Sequence, residues 1–343
     1  MSGSRQRLKQ KSSVGEDKLK KLILAVAFAA GLAAVPGVGA QADQAGKRIA
    51  YLGTAANQPF VAGMSQAVVA KADSLGMKVT GFFSPFNPAL QAQQVDDIIA
   101  RKFDIMIMMA VSEHAIIPSL ERAKKAGIPV ILVTGTIQGH EDLYLTYVGE
   151  NPVELGRLAA EATVEGLKKS GRTSGKIALI TGSMQEGVAP LRVEGFKEVL
   201  NKYPSYKIVA SEDAQWDTAM SEKAAGQIFA RFAPQGGVDA VYGMSDNQAT
   251  AAIQAANSAG IKVGSEPNDL VVVSGNCMKP GVGAIENGAM YATINQTPVP
   301  TAETAVQVAA DYFNGKMPPK HIFLPIQIVT KANIATFAGP CSY

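Results

Sequence analysis

From Arg48 onward the chain repeats one unit: a short β-rich apolar run, then an amphipathic stretch of about 15 residues. Strands alternating with helices at this spacing cannot pair as hairpins. They have to pair in parallel, with each helix crossing back over a sheet face. The runs at 49–53, 78–83, 104–109 and 129–133 read as four strands of a first group. After a break, 176–180, 207–210, 239–242 and 270–274 read as four strands of a second. Between them lie helices such as 87–101, where Leu90, Val95, Ile98 and Ile99 share one face. Gly127 and Gly260 stop helices at equivalent places, in Ala126-Gly-Ile-Pro-Val130 and Ala259-Gly-Ile-Lys-Val263. The pattern predicts two similar doubly wound α/β lobes.

The last segments break the repeat. Residues 291–294 read as a strand, 300–314 as a helix and 322–329 as a strand. A lone strand, helix and strand after two complete groups can finish the first lobe and then return to the second. The chain would then cross between lobes three times, near Glu150, Gln296 and Pro325. The predicted lobes are 48–150 with 297–324, and 151–296 with 325–343. A cleft between two such lobes is where ligands bind.

The first forty residues are of another kind. Lys18-Leu-Lys-Lys21 precedes fourteen uncharged residues, then Pro36 and a small-residue exit at Val38-Gly39-Ala40. This reads as a signal peptide over 1–40, too short in its apolar part to span a bilayer. It is expected to mark the chain for export, leaving a soluble protein after cleavage. Gly37-Val-Gly39-Ala-Gln-Ala42 imitates a dinucleotide fingerprint but has no strand before it.

Charge then narrows the function. The formal net charge of +3 is carried by the leader, which holds seven Lys/Arg against two acids. Without it 25 basic residues face 27 acidic ones, a net of −2. Nucleic acid is excluded as a partner for want of a basic footprint. Three histidines without ligand spacing and two cysteines argue against a metal centre, and no cofactor is expected. No nucleophile elbow, phosphate-binding loop or His-based motif appears, so an enzyme is not expected.

Several stretches, in order, resemble the periplasmic sugar-binding proteins of bacterial ABC importers, in the ribose-binding-like branch of the type I periplasmic binding protein family. They are Ile49-Ala-Tyr-Leu-Gly-Thr-Ala-Ala-Asn-Gln-Pro-Phe60, Ala126-Gly-Ile-Pro-Val-Ile131 and Tyr147-Val-Gly-Glu-Asn151 followed by Leu155-Gly. Arg192-Val-Glu-Gly-Phe196, Asp239-Ala-Val-Tyr-Gly-Met-Ser-Asp246, Val271-Val-Val-Ser-Gly-Asn276 and Ala292-Thr-Ile-Asn-Gln296 complete the series. The resemblance implies the periplasm as destination, and a monomer that closes on a sugar and delivers it to an ABC permease and its ATPase. An exported sensor for a membrane receptor, or a binder of a non-sugar metabolite, is the alternative.

The resemblance also implies a ligand set. Asn57 and Phe60 fall at the first lobe's Asn and stacking Phe, Trp216 at the second lobe's stacking aromatic, and Gln296 at the hinge Gln. Ser245 and Asp246 fall at an Asn-Asp strand end, and Asn276 replaces an Asp. Each has a structural alternative: Asn57 and Asp246 as helix caps, Phe60 and Trp216 as core. Thr134-Gly135 stands where the family has Asp-Arg, Pro190 where it has a gripping Arg, and Val61 where it has a second Phe. The charged tongs for a pyranose are therefore absent, which favours a polyol, a deoxy or a branched sugar. Thr134 is kept in the ligand set at its altered position, and Gln185, Glu186 and Arg192 are candidates for additional contacts. Cys277 and Cys341 would both belong to the second lobe, and in an oxidising compartment they are expected to pair and pin the tail.

Overall fold

The computed structural model describes residues 44–343. The leader read over residues 1–40 lies outside them. Within the described residues the chain builds two six-stranded sheets. The first takes β1 (Arg48–Gly53), β2 (Lys78–Phe83), β3 (Ile105–Met108), β4 (Val130–Val133) and β5 (Thr146–Gly149). Its helices are α1 (Pro59–Ser74), α2 (Pro88–Ala100) and α3 (Ile117–Lys125). The second takes β6 (Gly175–Thr181), β7 (Tyr206–Asp213), β8 (Ala240–Gly243), β9 (Val271–Asn276) and β10 (Ala292–Asn295). Its helices are α4 (Pro152–Lys169), α5 (Val188–Leu200), α6 (Thr218–Phe232), α7 (Asp246–Ser258) and α8 (Lys279–Glu286).

The strand orders are β11-β5-β4-β3-β1-β2 and β12-β10-β9-β8-β6-β7, where β11 is His321–Phe323 and β12 is Ile328–Thr330. Every pairing is parallel except β10 with β12. The two lobes thus repeat one topology, with the order reversing beside β1 and beside β6. The helix α9 (Pro298–Phe313) leaves β10 of the second sheet and packs among the apolar residues of the first lobe, beside α1. Strand β11 then pairs with β5, and β12 returns to β10. A last short helix, α10 (Ile334–Phe337), precedes the tail.

In the inner strands the apolar runs are buried on both faces, while the edge strands β2 and β7 are only partly covered. All four residues of β3, β4 and β8 are buried. Each sheet has an apolar cluster on either face, one of them holding Ile49, Ile105, Ile131 and Val306, another Leu52, Ile98, Met106 and Leu132. This is how parallel sheets are stabilised, and it is why these strands do not alternate in sequence. Helix starts follow local rules. Asn87, Asn151 and Asp217 each accept backbone N–H bonds at the heads of α2, α4 and α6, and Pro59, Pro88, Pro152 and Pro298 occupy first helical positions.

Two local readings change. Residues 146–149, read only as part of the first hinge, are strand β5. The stretch 322–329 is not one strand: it breaks around Pro325 into β11 and β12, one in each sheet. A proline cannot donate to a ladder, and here the chain changes sheets at that point.

Candidate functional site

The C-terminal ends of both sheets face one cavity of about 550 Å³ of empty space, mouth included. Thr54, Met109 and Thr134 follow β1, β3 and β4, with Gln58, Phe60 and Val61 at the head of α1. The second lobe adds Glu186 and Val188 after β6, Arg192 on α5 and Trp216 after β7. Ser245 and Asn247 follow β8, with Asn276, Met278 and Gln296 at the ends of β9 and β10. This is where a doubly wound sheet presents ligands to its loops.

Of the residues expected from sequence, Phe60, Thr134, Glu186, Arg192, Trp216, Ser245, Asn276 and Gln296 line the cavity. Asn57 does not; it is exposed, and the neighbouring Gln58 takes the lining position. Gln58 is also the residue before α1, so Asn57 is not its cap. Gln185 is exposed, and its carbonyl accepts from Glu113 N at 3.0 Å across the cleft. Asp246 lies behind the wall, fully buried, accepting from Ser274 Oγ, Thr293 Oγ1 (2.8 Å) and Met278 N. Burial pushes its carboxyl up to about 6 despite these donors. The cap of α7 is Ser245, whose hydroxyl accepts from Gln248 N at 3.3 Å.

The floor is a buried polar network. Arg192 Nη2 donates to Glu150 Oε1 and Gln296 Oε1, both at 2.8 Å, and Nη1 donates to Met244 O at 3.1 Å. Asn276 Nδ2 donates to the same Gln296 oxygen at 2.7 Å. Arg192 and Glu150 form an ion pair with side chains 2% and 1% exposed. Arg192 Nε and Glu150 Oε2 remain buried without a hydrogen-bond partner. A guanidinium is thus present after all, two residues from Pro190, but spent largely on the protein's own hinge.

The second-lobe wall is built around Trp216. A Cβ on Gly182 would lie 1.9 Å from its ring, so only glycine leaves room for the indole. Trp216 Nε1 donates to Glu186 Oε2 at 2.6 Å, and the Arg192 guanidinium sits 5.5 Å from the ring centre. Burial pushes the Glu186 carboxyl up to about 8, with the indole N–H and Arg192 pulling the other way. Non-glycine residues with positive φ gather at these strand ends: Thr134 (68°), Gln215 (50°), Trp216 (60°), Asn276 (87°) and Cys277 (58°). Such conformations cost about 1–3 kcal/mol each and persist where the surroundings over-determine them.

The lobes touch across the cleft. Gln58 Nε2 donates to Trp216 O at 3.4 Å, and a Cβ on Gly187 would lie 2.4 Å from Thr136 O. Sequence reasoning missed Glu150, which read only as hinge, and Thr54, Gln58, Met109, Val188, Asn247 and Met278. Their signal was position just past a strand end; Met and Val otherwise look like core. Cys277 and Cys341 form a disulfide.

Two doubly wound lobes that share three connections and face each other across a cleft make the type I periplasmic binding protein fold. Residues 49–317 match the periplasmic binding protein domain family, and the chain belongs to it. It is 25% identical over 278 residues to the ribose import binding protein of Bacillus subtilis (strain 168), covering 80% of this chain and 84% of the relative. Among solved structures, the periplasmic binding protein component of the arabinose ABC transporter from Shewanella sp. ANA-3, bound to α- and β-L-arabinofuranose, is 26% identical. It superposes with a TM-score of 0.77 over 84% of this chain and 94% of that one. A galactofuranose binding protein shares the fold with a TM-score of 0.80 at 20% identity, over 86% of this chain and 98% of that one.

Proposed function

We propose that the protein captures a small sugar or sugar-like molecule in the inter-lobe cavity, in the periplasm, and delivers it unchanged to an ABC permease. The observation that carries this reading is the pairing of Phe60 and Trp216, from opposite lobes, with hydroxyls and amides of both lobes around one cavity. Sugar C–H faces are apolar and lie on aromatic rings, while each buried hydroxyl needs a partner. Ribose and L-arabinofuranose, named for the two relatives at 25% and 26% identity, fit this chemistry. Val61, Met109, Val188 and Met278 add apolar lining, beside Glu186 and Arg192. That composition favours a ligand with few hydroxyls on one side, such as a deoxy or branched sugar; a polyol would instead spread its hydroxyls over the polar groups of both lobes.

In this reading residues 48–150 with 297–324 close against 151–296 with 325–343, about segments at Glu150, Gln296 and Pro325. Ligand stabilises the closed form, which the permease recognises. Residues 1–40 are the export signal. The test is thermal unfolding of protein freed of ligand by unfolding and refolding, against pentoses, hexoses, deoxy and branched sugars, polyols and sugar acids. A binder at a hundred times its Kd adds about 2.7 kcal/mol of stability. Stabilisation confined to one carbohydrate class is expected; no stabilisation by any of them refutes the carbohydrate reading.

A further inference from the structure

The floor of the cavity is held from behind by a part of the chain that does not line it. The tail after α10 runs to Tyr343, whose hydroxyl lies 2.8 Å from Asn276 O and 3.0 Å from Gln296 O. These are the backbone carbonyls of the two residues whose side chains join Arg192 in the polar network. One phenolic proton therefore serves the ends of β9 and β10 together. Two residues earlier, Cys341 is bonded to Cys277, the residue next to Asn276. Asn276 and Cys277 are consecutive non-glycine residues with positive φ. The tail grips both, one through a hydrogen bond and one through a covalent bond.

The same tyrosine reaches the other lobe. Its ring packs edge-on against Phe60, with centroids 6.3 Å apart. Gly63 of α1 faces the same ring, and a Cβ there would lie 3.6 Å from it, an ordinary contact. Tyr343 O also accepts from Lys279 N at 3.3 Å, at the head of α8. A single side chain thus touches one aromatic wall of the cavity in the first lobe and braces two floor residues of the second.

We propose that Tyr343, anchored by the Cys277–Cys341 disulfide, is a positioning residue for the ligand cavity: it holds Asn276 and Gln296 in their binding conformation and backs Phe60. Reducing the disulfide loosens the tail and so weakens binding through Tyr343. The inference rests on the cavity being the ligand site.

The test compares the oxidised protein, Tyr343→Phe, and a chain ending at Ser342. The first readout is L-arabinose affinity by calorimetry, beside the thermal midpoint of each sugar-free protein. The second is amide hydrogen exchange of residues 274–278 and 294–297 in sugar-free protein. Losing the hydroxyl is expected to raise the L-arabinose Kd about fivefold, the size of one buried hydrogen bond, and ending at Ser342 to raise it further. A residue with a merely structural role would lower the midpoint and leave Kd alone. Reduction with dithiothreitol should weaken binding by wild type but change the Ser342-ended chain less than about twofold, since coupled perturbations do not add. Both variants binding within about twofold of wild type overturns the proposal. If wild type itself does not bind L-arabinose, the failure falls on that choice of sugar, and exchange decides: faster exchange at 274–278 in both variants supports the brace, and unchanged exchange overturns it.

Discussion

Replacing Glu186 by Gln tests the electrostatics of the cavity most directly. Gln is nearly isosteric and its Oε1 can accept the Trp216 Nε1 bond that Glu186 Oε2 now takes. Burial raises the Glu186 carboxyl from 4.5 to about 8. A raised folded value means the native state holds a proton that the unfolded chain releases. The stability associated with that proton is complete below about pH 4.5 and is lost as pH rises to about 8. At pH 7 the folded protein keeps the carboxyl neutral against about 2.5 pH units, a cost of about 3 kcal/mol, and at pH 8 about 5. Glutamine carries no such cost. Urea unfolding of the sugar-free proteins should therefore give similar stabilities at pH 4.5 and a gap that widens in favour of Glu186→Gln up to pH 8. Asp246 also releases its proton in this range but is common to both proteins and cancels. Parallel stability curves would refute the argument. A variant less stable than wild type at pH 8 would show instead that Glu186 is ionised and held by Arg192 and Trp216.

Arg192→Met should cost about 3–5 kcal/mol in urea unfolding, because it leaves the Glu150 carboxylate buried without its partner. Adding Glu150→Gln to it should restore most of that loss. Gly187→Ala pushes a methyl towards the Thr136 carbonyl of the facing lobe. Overpacking of about 1–3 kcal/mol should fall on the closed form alone, seen as a larger radius of gyration in solution scattering with little change in urea midpoint. Serine at both Cys277 and Cys341 opens a loop with a sequence separation of 64 residues, and chain entropy gives a loss on the order of 4 kcal/mol, read by urea unfolding of the oxidised proteins.

The architecture was legible because parallel strands buried on both faces leave unbroken apolar runs, and the chain repeats them twice. Strand β5 escaped because four residues beside a hinge carry too little periodicity to stand out, and it is pairing with β4 and β11 that makes them a strand. Trp216, Phe60, Asn276 and Gln296 were legible through the motifs around them. Asp246 was placed in the cavity by its position and lies behind the wall, because a carboxylate after a strand suits a ligand and a buried anchor equally; its three donors come from 28, 32 and 47 residues further on. Glu150 was invisible for the same reason, since nothing near it announces that Arg192, 42 residues on, will meet it. The brace by Tyr343 spans 67 residues to Asn276, beyond the reach of any local pattern.

Trp216 is the only tryptophan in the chain. Its carbonyl meets Gln58 of the facing lobe, and its indole N–H meets the Glu186 carboxyl, which burial pushes up to about 8. Excited at the red edge of protein absorption, the molecule has one emitter, placed where the lobes meet. Its colour and brightness should therefore report opening, occupancy and the charge on Glu186 without any attached dye. That makes the protein an optical sensor ready for titration, and an obvious frame for engineered ones.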